Sequence, residues 1–160
     1  MTIKVGDTLP EATFMTIGPD GPTPVTTADV FGGKRVAMFA VPGAFTPTCS
    51  AKHLPGYKEQ ADAFKAKGVD AIACTSVNDV FVMGAWAKDQ GVDGEMQMLA
   101  DGNGDFAKAV GLELDGTGFG MGARSQRYAL VANDGVVESL HVEGPGEFKV
   151  SSAEYVLDNL

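Results

Sequence analysis

Residues 35–50 read RVAMFAVPGAFTPTCS, a segment that passes from an apolar run through a turn to a cysteine. The run 35–41 is too short for a typical helix and contains no polar residue after its first position, so it predicts a short buried strand. Pro42-Gly43 ends that strand, because this pair is typical of a turn. The segment therefore predicts a core strand followed by a tight loop.

A helix is predicted directly after this loop, over residues 48–67. Its apolar residues recur at helical spacing, and Thr46 or Thr48 is positioned to cap its start. Pro55 is expected to kink it, because proline cannot donate the backbone hydrogen bond of a helix interior. Cys49 is therefore expected in the first turn of a helix that follows a strand.

The alternation of strands and helices continues to the end of the chain. The strongest turn signal is Asn133-Asp134-Gly135, which predicts a hairpin. The residues from Ser151 to Glu154 have the capping-box pattern of a helix start. The remaining predictions are strands at 69–77 and 96–99, helices at 80–89 and 101–110, a glycine-rich loop at 116–122 and hairpin strands at 127–132 and 136–142.

This order predicts an α/β fold. Strands that alternate with helices form a layered sheet with parallel members. The closing antiparallel hairpin and last helix are the thioredoxin-like arrangement, a central mixed β-sheet flanked by helices. The first 34 residues are rich in turn-forming residues with short strands between them, so we expect an N-terminal β extension. The length of 160 residues suits a single domain, 1–160.

The charge balance excludes some partners. The chain has 12 basic and 21 acidic side chains, for a net charge of −9. Such a surface repels phosphate, so we expect no nucleic-acid partner and no anionic membrane. The first ten residues lack the basic start and apolar core of a secretory signal. We therefore expect a cytoplasmic protein.

Cysteine usage points to chemistry. The chain has only Cys49 and Cys74, which is neither a disulfide framework nor a C-x-x-C motif. A cysteine in a first helical turn faces unpaired N–H groups and the positive end of the helix dipole, which favour a thiolate. A free cysteine is already about 3% thiolate at pH 7, so ionisation alone increases its rate by at most about 30-fold. An efficient thiolate enzyme therefore also needs a hydroxyl near the sulfur and a fixed cation, which orient the substrate and stabilise the departing group. Thr46 and Arg127 are the candidates for these two groups.

The sequence resembles the peroxiredoxins at these residues. Pro42-x-x-x-Thr46-x-x-Cys49 matches their active-site motif, and the type II, peroxiredoxin-5-like branch is similar over three blocks that occur in the same order. These blocks are residues 42–57, residues 76–83 and residues 120–128. The resemblance extends over most of the chain.

The resemblance implies roles for these residues. Cys49 is expected to be the peroxidatic nucleophile and Pro42 to shield its sulfur, while Thr46 binds the peroxide and Arg127 activates both partners. Supporting roles fall to Gly43, Thr48, His53 and Arg124. The implied substrates are hydrogen peroxide and alkyl hydroperoxides, and the implied reductant is glutathione with glutaredoxin, or thioredoxin. The resemblance also implies a homodimer, with no metal and no organic cofactor.

Several alternatives stay open at this point. Cys74 either resolves the oxidised Cys49 or is a structural core thiol, in which case an external thiol attacks directly. His53 lies one turn after Cys49 and is a base, a metal ligand or, as we favour, a structural neighbour. For the whole protein, the alternative to an enzyme is a thioredoxin-like redox-sensing or chaperone module without turnover.

Overall fold

The computed structural model describes residues 2–160. These residues form nine strands and six α-helices, with a π-helical turn at Cys49–His53 and a 3-10 turn at Thr117–Phe119. The strands are β1 Thr13–Gly18, β2 Gly21–Thr26, β3 Arg35–Ala40, β4 Ala71–Ser76, β5 Gln97–Ala100, β6 Glu113–Asp115, β7 Ala123–Ser125, β8 Tyr128–Asn133 and β9 Val136–Val142. The helices are α1 Thr27–Phe31, α2 Leu54–Glu59, α3 Ala61–Ala66, α4 Val80–Gln90, α5 Asp105–Ala109 and α6 Ala153–Asp158. The predicted strands and helices occur in the predicted order, and α1, β6 and β7 are additional.

Seven strands form a mixed sheet in the order β2-β1-β5-β4-β3-β8-β9. The central strands β3, β4 and β5 are parallel to one another, whereas β8 runs antiparallel to β3 and β1 runs antiparallel to β5. The β1–β2 hairpin extends the sheet at one edge, as predicted for the N-terminal region. The central mixed sheet is therefore confirmed.

The core lies on both faces of this sheet. Along β3, Phe39 contributes to one apolar cluster and Met38 to the other, because successive side chains of a strand point to opposite faces. The first cluster takes its helical members from α2, α3, α4 and α6, and the second takes them from α1 and α5. Since β3 is buried on both faces, its sequence is almost continuously apolar.

The long helix differs from its prediction. Pro55 was expected to kink or briefly break the helix, and the α-helical path is interrupted just before it, by the π-helical turn in which Leu54 N–H donates to Cys49 C=O. Pro55 itself lies in the first turn of α2, and a second, unpredicted break occurs at Gln60, between α2 and α3. The predicted caps are wrong, since Thr48 makes no capping bond and the Thr46 hydroxyl donates to Gly43 C=O.

Other helix starts lie later than predicted. The last helix is capped by Ser152, whose hydroxyl accepts from Tyr155 N–H, so the expected capping box of Ser151 and Glu154 is wrong. Asp101 lies before α5 and not within it, and its carboxylate accepts from two N–H groups of that helix. The one capping box found in residues 2–160, formed by Thr26 and Asp29, starts α1, a helix that the sequence did not predict.

The hairpin of β8 and β9 is confirmed. Asp134 and Gly135 both have positive φ, of 50° and 79°, as the central residues of the tight hairpin turn require. The predicted glycine-rich loop is flanked by the short pair β6 and β7. No helix within residues 2–160 has the length and apolarity to cross a bilayer.

Candidate active site

The loop after β3 is held in a compact turn. Phe45 has a positive φ of 64°, which is unfavourable for a side chain of this size. The Thr46 hydroxyl donates to Gly43 C=O at 2.7 Å, and Ala44 N–H donates to the Asn78 side-chain oxygen at 2.9 Å. These bonds compensate for the unfavourable conformation and fix the loop that leads from the sheet to the helix. Pro42 is the half-buried first residue of this loop.

Cys49 lies where the sequence predicts it, in the first turn of the helix. The helix begins at Pro47, and Ser50 N–H donates to Thr46 C=O. The cysteine is fully buried and is a free thiol. Thr48 lies next to it in helical conformation. Burial disfavours a charged sulfur, and a cation close to it offsets that cost.

Arg127 is that cation. It lies one residue before β8, and its Nη2–H donates to Cys49 Sγ at 3.1 Å, although the two residues are 78 positions apart in the chain. The placement is possible because β8 pairs with β3, which brings its start to the carboxyl end of the core strand. The sequence prediction that Arg127 faces Cys49 agrees with this geometry. A donor with a fixed positive charge stabilises a thiolate at this distance.

His53 contacts the same guanidinium. Arg127 Nη1–H donates to His53 Nδ1 at 2.9 Å, and His53 Nε2 lies 3.0 Å from Ser151 C=O. A guanidinium only donates and a carbonyl only accepts, so Nδ1 is unprotonated and Nε2 carries the proton. Burial, together with the positive charge of Arg127, lowers the pKa of His53 to about 3. The histidine is therefore neutral at physiological pH.

Aromatic rings enclose this pair of side chains. Phe39 and Phe148 lie against the His53 ring, with centroids 4.7 and 5.0 Å away, and the Arg127 guanidinium lies 5.9 Å from the Phe148 centroid. Phe148 comes from the segment between β9 and α6, which therefore covers the site. Within residues 2–160 no group of three or more potential metal ligands occurs.

Arg124 connects the loops around the site. Its Nε–H donates to Met121 C=O at 2.9 Å and its Nη1–H donates to Val77 C=O at 3.0 Å. A side-chain atom placed on Gly43 would meet Thr46 at 3.2 Å and Met121 at 3.4 Å, so the glycine lets the two loops approach closely. Arg124 thus ties the glycine-rich loop to the turn after β4 and does not contact Cys49 through a hydrogen bond.

Cys74 is held in the centre of the sheet. It lies in β4 opposite Phe39 of β3 and Met98 of β5, and it is fully buried. Burial, reinforced by the nearby charge of Cys49, raises the pKa of the Cys74 thiol well above its usual value. This thiol is therefore protonated at neutral pH and is a weak nucleophile.

Comparison with known proteins identifies the family. The Redoxin family model matches residues 4–157. The chain belongs to the peroxiredoxins, as a type II member. It is 50% identical to "Peroxiredoxin-2E, chloroplastic" of Arabidopsis thaliana, over 99% of this chain and 70% of that protein. It is 52% identical to "Peroxiredoxin-2E-2, chloroplastic" of Oryza sativa subsp. japonica, over 99% of this chain and 73% of that protein.

A solved peroxiredoxin structure is similar over the full length. Reduced Prx3 of Vibrio vulnificus in complex with H2O2 is 53% identical, with a TM-score of 0.95 over 99% of each chain. The predicted thioredoxin-like fold is confirmed by this likeness. The predicted enzyme class is confirmed as well: this peroxiredoxin is a thiol-dependent peroxidase, with a hydroperoxide as substrate and a thiol as reductant.

The predicted cytoplasmic location is wrong by the same comparison. The two plant relatives described above carry chloroplastic names and match 99% of this chain. The prediction depended on the absence of a signal in the first ten residues, and that observation does not assign a compartment.

Sequence reasoning missed several residues that build the site. Asn78 accepts from Ala44 N–H in the loop after β3 and from the Ser76 hydroxyl, while Asp79 caps α4. Ser151 contributes through its backbone carbonyl, which no side-chain pattern reveals. For Asn78 a signal existed, because it lies in one of the blocks that resemble the peroxiredoxins.

Proposed function

We propose that Cys49 is the peroxidatic residue of this peroxiredoxin and that Arg127 is its activating cation. The observation that carries the proposal is the 3.1 Å contact of Arg127 Nη2 with a fully buried Cys49 sulfur. In a water-poor site, this charge stabilises the thiolate and remains in place to stabilise the negative charge that develops on a leaving oxygen.

The proposed reaction is a nucleophilic attack by Cys49 on the peroxide. The Cys49 thiolate attacks one peroxide oxygen, the O–O bond breaks, and the departing oxygen takes a proton to leave as water or an alcohol. Cys49 is thereby oxidised to a sulfenic acid. Thr46, in the loop before the cysteine, supplies a hydroxyl that binds the peroxide. Pro42, at the start of that loop, supplies an apolar ring that shields the Cys49 sulfur. The substrates are hydrogen peroxide and small alkyl hydroperoxides.

The backbone around Cys49 completes the proposed site. Gly43 allows the close approach of Thr46 and Met121, and Thr48 continues the helix whose start carries the cysteine. Arg124 supports the loops from the outside. Gly43, Thr48 and Arg124 act through the shape of the pocket and not through proton or electron transfer.

An external thiol is the reductant in this proposal. Cys74 is fully buried between two paired strands, and its raised pKa keeps it protonated, so it is a poor partner for a sulfenic acid. A small thiol such as glutathione, or a dithiol protein such as glutaredoxin or thioredoxin, attacks Cys49 instead and releases water. A second thiol then attacks the first reductant sulfur of this mixed disulfide, forms a disulfide with it and releases the Cys49 thiol.

We also propose that the chain is a single domain, 1–160, that forms a homodimer. The Redoxin match extends from residue 4 to residue 157, and the central sheet includes strands from both ends of the chain.

Three phenyl rings on loops and on α4 are exposed to 50, 69 and 88%: Phe45, Phe81 and Phe119. The proposed dimer rests on the resemblance to the type II peroxiredoxins, and a contact with a second copy would bury these rings. Sedimentation of the wild type as a monomer at micromolar concentration would exclude the dimer.

Steady-state turnover tests the proposed function. We expect wild type and Cys74→Ser to consume hydrogen peroxide continuously with glutathione and glutaredoxin, and Cys49→Ser to show no turnover above background. Cys74→Ser is the matched control, because it makes the same change at the other buried cysteine. Full activity of Cys49→Ser would exclude Cys49 as the peroxidatic residue, and a single stoichiometric reaction without turnover would favour the redox-sensing alternative.

A further inference from the structure

We propose that His53 is a positioning residue that fixes the Arg127 guanidinium on the Cys49 sulfur, and that it does so as a neutral hydrogen-bond acceptor. The inference rests on the proposed roles of Cys49 and Arg127 and adds the group that orients the cation. Its basis is the continuous set of contacts from Cys49 through Arg127 and His53 to Ser151.

The geometry of the guanidinium makes such a residue necessary. Arginine is a long, flexible side chain, and a single bond to a sulfur leaves the plane of its fork free to rotate. The second bond, from Nη1–H to His53 Nδ1, fixes the fork in the orientation that places Nη2 on Sγ. With both terminal nitrogens held in this way, the guanidinium has one orientation relative to Sγ. The peroxide, which must approach the thiolate in line, then meets donors in fixed positions.

His53 can do this because its other nitrogen is anchored. Nε2–H donates to Ser151 C=O, and the same carbonyl also accepts from the Tyr57 hydroxyl at 2.8 Å. The Ser151 segment is fixed in turn by the buried Glu143 carboxylate, which accepts from Ser151 N–H and Oγ–H and from Lys149 N–H. The ring therefore cannot turn over to present a donor to Arg127.

The surroundings keep the histidine in its accepting form. Arg127 supplies a positive charge on one side, and Phe39 and Phe148 cover the ring. Of the other ionisable groups around it, Tyr57 of α2 lies 5.7 Å away between ring centroids, Cys49 shares the Arg127 guanidinium, and Glu143 holds the Ser151 segment. A second positive charge on His53 would repel Arg127 and replace the acceptor by a donor, which would break the contact.

Two substitutions separate the two bonds of His53. Asparagine places an amide oxygen near the position of Nδ1, so His53→Asn keeps an acceptor for Arg127 but loses the bond to Ser151. Glutamine places an amide N–H near the position of Nε2, so His53→Gln keeps the Ser151 bond but loses the acceptor. Tyr57→Phe is the matched control, because it removes the other bond to the same carbonyl without touching Arg127.

The rate constant of Cys49 oxidation by hydrogen peroxide, measured by stopped-flow fluorescence, tests the proposal. We expect His53→Gln to react about 10- to 100-fold more slowly, as for loss of one hydrogen bond to a charged group. His53→Asn keeps the acceptor without its anchor and is expected to react faster than His53→Gln, and Tyr57→Phe stays within about threefold of wild type. Equal rates for His53→Asn and His53→Gln would overturn the proposal.

A double substitution provides the second arm. If His53 acts only through Arg127, then His53→Gln causes no further loss of rate in an Arg127→Gln background. A further loss as large as that in the wild-type background would show a separate, structural effect and would contradict the inference. Loss of activity in Cys49→Ser is independent of both arms, so a failure of the proposed function is distinguished from a failure of this inference.

Discussion

The burial of neutral His53 predicts a specific loss of stability in mild acid. Its pKa is lowered from 6.5 to about 3 by burial and by Arg127. Below pH 6.5 the unfolded chain binds a proton at this residue and the native protein does not, so stability falls as the pH falls towards 3. With these two pKa values, the free energy of unfolding that His53 contributes falls by about 2 kcal/mol between pH 7 and pH 5.

Urea denaturation at pH 7 and pH 5 measures this loss. Trp86 is the only tryptophan, is fully buried and donates to the Ser50 hydroxyl beside Cys49, so its fluorescence reports unfolding around the site. We expect the acid-induced loss to be smaller by about 2 kcal/mol in His53→Asn than in wild type. His141→Asn, at the only other histidine, is the control and retains the dependence due to His53. Equal losses in wild type and His53→Asn would refute the reasoning.

Other groups do not cancel this difference. Burial acts to raise the pKa of Glu143, but the hydrogen bonds from Ser151 and Lys149 outweigh it and lower that pKa overall. Glu143 therefore keeps its charge in this pH range. Asp101 has a pKa raised by burial, yet its contribution is the same in both proteins and is removed by the comparison.

Two further predictions concern the reset step and the catalytic loop. Mass spectrometry of wild type treated with peroxide and glutathione is expected to show glutathione on Cys49; a Cys49–Cys74 disulfide as the main product would contradict an external reductant. Asn78→Ala leaves the Ala44 N–H and the Ser76 hydroxyl without their acceptor, so we expect a loss of about 1–3 kcal/mol in urea denaturation. An unchanged urea midpoint would show that Asn78 does not hold the loop.

The sequence predicted those parts of the fold and the site that depend on residues close together in the chain. The apolar run of β3, the Pro-Gly turn and the cysteine that follows predicted the centre of the site, and Arg127 was noticed because a charge at the start of a core strand needs a partner. Its partner was identified by resemblance and not by spacing. The hairpin was predictable because the Asp134-Gly135 turn depends on local backbone preferences.

The rest depends on contacts that no local pattern encodes. The accepting role of His53 requires the carbonyl of Ser151, 98 residues away, and the guanidinium of Arg127, 74 residues away. The helix break at Gln60 could not be predicted because no proline or glycine marks it. Helix α1 has only five residues and too few positions to show a period.

The most direct test of the account is the rate of Cys49 oxidation in Arg127→Gln, followed by stopped-flow fluorescence of Trp86. Loss of the charged hydrogen bond to Sγ corresponds to about 1.5–3 kcal/mol, or roughly 10- to 150-fold in rate. We expect a decrease of this size, with native fluorescence before peroxide is added. A rate equal to that of wild type would contradict the claim that this guanidinium activates the Cys49 thiolate.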